Sequence, residues 1–162
     1  DFEQIASYVG SLNIEHSAPQ GINTDNVLLG STFIVGGQIK GQQHELYLVY
    51  PQGNYIRPAD SKPYLVIGEV KYGKPILDRV IKPTVSIGDA SRCALISMDS
   101  TLKSDLTVGP PIDFAVLKKD DDNLSMLECL NVTDENYAMV CNQWSEGIFK
   151  VFDSFSRFDW EK

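Results

Sequence analysis

The side chains able to do chemistry are scattered along this chain in sets that each stop short of a complete site. His16 and His44 have no cysteine or second histidine at ligand spacing, so a zinc site is not expected. Their polar surroundings read as loops. Cys93, Cys129 and Cys141 are an odd number without a CxxC pair, which fits reduced, mostly buried thiols in a cytoplasmic protein. Asp120-Asp121-Asp122 follows Lys118-Lys119, and adjacent aspartates on an extended chain do not face one ion; a solvated loop is the reading. No GxSxG occurs, and neither Gly30 nor Gly36-Gly37 leads into a phosphate-binding loop, so serine hydrolase and nucleotide chemistry lack support. No cofactor and no metal are expected. Two segments stay open: the glycine-bearing corner from Ile67 to Arg79, and Ser97-Met98-Asp99-Ser100-Thr101, where a carboxylate stands among hydroxyls. Asp99-Ser100-Thr101 also fits the capping of a helix end.

The corner implies the elements around it. Tyr64 to Ile67 reads as a short buried strand, Gly68 and Gly73 permit a sharp backbone, and Pro75 suits the first position of a helix. Ile76, Leu77, Val80 and Ile81 would form its inner face. Next, Ser86 is placed to cap a second helix with Asp89 in its first turn, and Ala90, Cys93, Ala94, Ser97 and Met98 continue an inner stripe.

Outside this pair of helices the pattern alternates. Phe2, Ile5, Ala6, Val9 and Leu12 recur at helical spacing, as the tail of a longer helix would. After a loop over Gly21 to Asn26, Leu28 to Ile39 and Glu45 to Val49 read as strands of a hairpin through Lys40-Gly41-Gln42-Gln43. Pro51-Gln52-Gly53-Asn54 is a further turn. Pro111 to Leu117 and Leu127 to Val132 suit paired strands. A last helix with Thr133 as N-cap carries the stripe Tyr137, Val140, Cys141, Trp144, Ile148, Phe152 and Phe155. Helices and strands in this order suggest an α+β domain of antiparallel sheets covered by helices.

Composition narrows the partners. At 162 residues, 43% hydrophobic and 10% aromatic, the chain suits one globular domain. A net charge of −8 and a pI near 4.6 argue against nucleic acid, whose phosphates call for clustered Lys and Arg. Neither a membrane span nor a signal peptide is expected from the apolar runs present. Asn131-Val132-Thr133 fits a glycosylation sequon, idle in a cytoplasmic protein.

Several motifs together carry a resemblance. Phe33-Ile34-Val35-Gly36-Gly37-Gln38 and Tyr47-Leu48-Val49-Tyr50-Pro51-Gln52-Gly53-Asn54 resemble the sheet signature of proteasome-type N-terminal-nucleophile hydrolases. Lys71-Tyr72-Gly73-Lys74-Pro75-Ile76-Leu77-Asp78-Arg79, with the later Ser97 to Thr101 and Val108 to Asp113 segments, is similar to the bacterial Anbu family, the ancestral beta subunits. The similarity runs from about Phe2 to about Trp160.

The resemblance implies a four-layer αββα sandwich, 1–162 being one proteasome-type domain that lacks its first strands. It implies a threonine peptidase or amide hydrolase whose threonine nucleophile, at a mature N-terminus, is absent from a chain starting Asp1-Phe2. Peptide or amide substrates, a ring or spiral homo-oligomer packed through Pro75 to Thr101, and the alternative of a non-catalytic assembly subunit follow from the same likeness. Relatives carry Arg-Asp-x-x-Ser-Gly-Gly, whose Asp and Ser orient the amino-terminal threonine. Asp99 matches that aspartate, Met98 replaces the arginine, and the longer segment before Val108-Gly109 leaves the hydroxyl open between Ser104 and Thr107. An amine acting as base needs such an acceptor and a hydroxyl to relay its proton. Glu69 stands where relatives have the serine of Gly-Ser-Gly; it would bond near the nucleophile or pair with Lys71, Lys74 or Arg79.

Overall fold

The computed structural model describes residues 1–17, 30–121 and 126–161. The expected Gly21–Asn26 loop, residues 28 and 29 of the first strand and Asp122 lie outside them. The chain mixes helix and sheet and divides into two compact units. One comprises Asp1–Val70, Ile81–Val85 and Ala115–Leu127; the other comprises Lys71–Val80, Ser86–Phe114 and Glu128–Lys162.

In the first unit, helix α1 (Phe2–Ser17) lies on a three-stranded antiparallel sheet, β1 (Phe33–Gln38), β2 (His44–Val49) and β3 (Tyr55–Ile56), in the order β1-β2-β3. Its core joins Phe2 and Ala6 to Tyr47 and Val49. Phe2 stacks on Tyr47 at 6.2 Å, and Tyr55 meets Tyr47 edge-on at 5.6 Å. The buried face of α1 is Phe2, Ala6, Gly10 and Asn13; Ile5, expected inside, is exposed. Gly10 is there because the Gly53 carbonyl of the β2–β3 turn leaves no room for a Cβ, and Asn13 because its amide donates to the carbonyls of Ser31 (2.6 Å) and Tyr50 (3.2 Å). Both hairpin turns form where expected, with Gly41 and Gly53 at φ +81° and +83°. His16 and His44 sit in the last turn of α1 and in β2 rather than in loops. Asp120 is in a turn, as expected, exchanging hydrogen bonds with Gln38.

Tyr64 to Ile67 is not a buried strand. These residues are half-buried or exposed and pair with no strand among the described residues, the local pairing being a bridge between Ala59 and Lys62. An apolar run becomes a strand only beside a partner that takes up its backbone groups.

The second unit holds α2 (Lys74–Val80), α3 (Ile87–Ser104) and α4 (Glu135–Asp153). Strands β4 (Ile112–Val116) and β5 (Met126–Leu130) form a two-stranded sheet, as their spacing suggests. Helix α2 begins at Lys74, one residue before Pro75; Leu77 is buried, and Val80, expected inside, is exposed. Helix α3 is capped by Ser86, whose hydroxyl accepts from the Asp89 N–H at 3.1 Å. Its buried residues are Cys93, Ser97, Asp99 and Thr101, so Ala94 and Met98 turn outward, contrary to expectation. The cap of α4 is Asp134 rather than Thr133, and its carboxylate accepts from the Asn131 N–H instead of from the first turn. Tyr137 and Cys141 pack with Ile112 in a core completed by Leu95, Leu102 and Leu130. Farther along α4 the expected stripe stays uncovered: Ile148 and Phe152 are exposed along an open apolar groove, and Phe155, expected on the same helix, lies beyond its end at Asp153 and is exposed too.

Candidate functional site

Asp99 lies inside α3, five residues before its last residue, Ser104, and does not cap the helix; that role falls to Asp105, whose N–H donates to the Thr101 carbonyl at 2.8 Å. The carboxylate is buried because Asp99 is on the side of α3 that faces α4. It is held at 2.8 Å by the ammonium of Lys103, one turn on, an orientation that suits a helix. Lys103 also donates to the Ser145 hydroxyl of α4 at 3.4 Å, and Ser145 donates to the Cys141 carbonyl at 3.0 Å. Burial, and then the neighbouring Asp99 charge, push the Cys141 thiol upward. Tyr137, one turn before Cys141, has a buried hydroxyl with no hydrogen-bond partner among the described residues. Burial above all, with Cys141 and Asp99 adding to it, holds its proton on well beyond the phenolic range.

The other two candidates of this unit stand apart from that cluster. Ser104, the last residue of α3, is exposed. Thr107 is also exposed and folds back on Asp105, whose carboxylate accepts its hydroxyl at 2.7 Å and its N–H at 2.8 Å. Those bonds hold the Asp105 carboxyl below its usual range, Lys71 adding attraction. No hydrogen bond or ion pair joins Asp99, Ser104 and Thr107 to one another among the described residues.

Glu69 belongs to the first unit, half-buried, directly after Gly68, whose φ of +80° is the left-handed backbone the corner calls for. Of the cations proposed for it, Lys74 pairs with Asp78 at 2.7 Å and Arg79 donates to the Pro75 carbonyl at 2.6 Å, both within α2. Lys103 and Ser145 are not among the residues singled out from the sequence, and Cys141 is read there as a buried thiol of the last helix rather than as a neighbour of Asp99. The available signal was spacing: 99 and 103 on one helix and 141 and 145 on the next are each one turn apart.

Among the described residues no group of three or more His, Cys, Asp or Glu is arranged to hold a metal ion, and no helix is long and apolar enough to cross a membrane. What this arrangement offers chemically is a buried, ion-paired carboxylate whose neighbouring thiol, Cys141, is kept protonated by burial and by that charge.

No family model matches the chain, and no curated protein does. Solved structures do. Anbu (ancestral beta-subunit) from Yersinia bercovieri superposes with a TM-score of 0.90 at 34% identity over 98% of this chain. A Gly-1 mutant of Anbu from Hyphomicrobium sp. strain MC1 gives 0.87 at 38% over 98%, and the helical assembly of the Anbu complex from Pseudomonas aeruginosa 0.83 at 36% over 96%. The chain spans 65% of the length of each of these relatives. Likeness at this identity, sustained along almost all of the chain, means that the chain belongs to the Anbu, or ancestral beta-subunit, family.

Proposed function

We propose that this chain is the greater, scaffold-bearing part of a proteasome-type threonine peptidase or amide hydrolase whose nucleophile lies outside these residues. The observation that carries the reading is the identity of 34–38% with Anbu structures over 96–98% of the chain. In the whole protein, the hydroxyl of an N-terminal threonine attacks the scissile carbonyl while the free α-amine takes its proton. The amine leaving group departs with a proton, and water resolves the acyl-enzyme. Asp99 supports the amine electrostatically; Ser104 or Thr107 supplies the relaying hydroxyl, and Glu69 lies near the nucleophile. The parent fold is the four-layer αββα sandwich, 1–162 forming part of one such domain, and the protein is cytoplasmic. It assembles with copies of itself, as a ring or spiral, through Pro75 to Thr101; the helical assembly of the Pseudomonas aeruginosa relative supports self-association.

One observation favours a second reading, a non-catalytic assembly subunit: Asp99 already has a cation, Lys103, at 2.8 Å. Turnover separates the two. The intact protein with a free N-terminal threonine should cleave peptide or amide substrates, and Asp99→Asn should lower the rate by about 10²- to 10⁴-fold with little change in melting temperature. Absence of turnover across substrate libraries, or a loss matched by unfolding, would leave the assembly subunit.

A further inference from the structure

Four residues close a circuit between α3 and α4. The Asp99 carboxylate takes the Lys103 ammonium at 2.8 Å; Lys103 reaches the Ser145 hydroxyl at 3.4 Å; Ser145 donates to the Cys141 carbonyl at 3.0 Å; and the Cys141 thiol lies beside Asp99 again. The arrangement is built from two one-turn spacings that face each other, 99 with 103 and 141 with 145, so neither helix can turn about its axis without opening it. Asp99 itself is 8% exposed and Cys141 6%. A lone carboxylate on a helix samples more than one staggered rotamer, whereas one gripped by a cation from its own helix and walled by a neighbouring helix keeps one.

We propose that Lys103 and Ser145 are positioning residues for Asp99. Lys103 fixes the carboxylate by direct contact, and Ser145 fixes Lys103 from α4, so that the packing of α4 sets the orientation of a charge that serves the reaction. The proposal rests on the reading of Asp99 as the support of the nucleophilic amine. It adds that α4, which supplies none of the candidate residues, controls the site through Ser145. It also accounts for the lysine at 103: beside an otherwise unpaired buried carboxylate, an apolar residue would leave the charge uncompensated.

The test uses the intact protein and two independent readouts. The first is the Asp99 rotamer, read by nuclear magnetic resonance from its three-bond side-chain couplings. A single rotamer should give way to averaging in Lys103→Met and, less completely, in Ser145→Ala, and Lys103→Arg should retain it. The second is kinetic: kcat should fall by about 10- to 100-fold in Lys103→Met with KM unchanged, as misplacement of a reacting group does, and Lys103→Arg should recover most of it. A rotamer that stays single in Lys103→Met overturns the proposal, as does an unchanged kcat in a variant whose rotamer averages. If the intact protein has no turnover, the proposed activity falls, while the rotamer still decides whether Lys103 and Ser145 hold Asp99.

Discussion

Gly73 sits against Ser97 with no room for a side chain between them: a Cβ on Gly73 would meet the Ser97 carbonyl oxygen at 2.8 Å and its hydroxyl closer still, with the Thr101 hydroxyl at 3.0 Å. The glycine also immediately precedes α2, its carbonyl accepting from the N–H groups of Ile76 and Leu77 in the first turn. It is therefore the point at which α2 is drawn onto α3. Gly73→Ala should destabilise the protein by about 1–3 kcal/mol, the usual cost of overpacking, less the few tenths gained from a stiffer unfolded chain. Urea melts read the loss. Since the Ser97 carbonyl cannot be removed, Ser97→Ala should restore only part of it, and full rescue would show that the hydroxyl alone sets the spacing.

Asn13→Ala should cost about 2–3 kcal/mol. The asparagine is 8% exposed and joins α1 to the sheet through the Ser31 and Tyr50 carbonyls and the Ser31 N–H; truncation leaves those groups without their partner. Asn13→Asp keeps the acceptor for Ser31 but turns two donated bonds into repulsion, so it should be worse than alanine. A melt in which Asn13→Asp matches the parent would refute the bonding scheme.

Tyr137→Phe should leave the protein unchanged or stabilise it by about 1 kcal/mol. Among the described residues no hydrogen-bond partner offsets the lost hydration of this buried hydroxyl, and such groups cost about 1–3 kcal/mol. The ring is the part that packs with Ile112 and Cys141, and phenylalanine keeps it. A loss of more than 1 kcal/mol on chemical unfolding would mean that the hydroxyl is bonded in solution.

Among the described residues, periodicity in the sequence located the four α-helices, the β1–β2 hairpin and the β4–β5 pair. It failed where burial depends on what packs against the element. Gly10 and Asn13 of α1 are inside for close approach and for hydrogen bonding, neither of which a hydrophobic count registers. Tyr64 to Ile67 is apolar enough for a strand but pairs with no strand among the described residues. Ile148 and Phe152 fit the stripe of α4, yet only its first half meets a core, and the helix stops at Asp153 before reaching Phe155. The candidate site divides in the same way. Asp99 was legible from its motif, whereas Lys103, Ser145 and Cys141 matter only once α3 and α4 are side by side.

Stability should decline at alkaline pH. Burial is the main cause that raises Cys93, Cys141 and Tyr137 in the folded chain, the last to beyond the usual phenolic range. For these groups the folded value lies above the unfolded one, so the native state holds more protons than the unfolded state once the pH passes the ordinary thiol value of about 8.5. Unfolding free energy then falls as pH rises. The contribution is complete below that pH and disappears progressively as the folded values are approached. Urea melts from pH 7 to 11 should show a flat region and then a decline, and Cys93→Ala should make the decline shallower after allowance for its own cavity. Alkylation gives an independent reading: Cys129, exposed, should react in the native state, while Cys93 and Cys141, both buried, should react only on unfolding. Stability that holds constant to pH 11, or native-state alkylation of Cys141 as fast as of Cys129, would show that these thiols are not shielded as the packing of α3 and α4 requires.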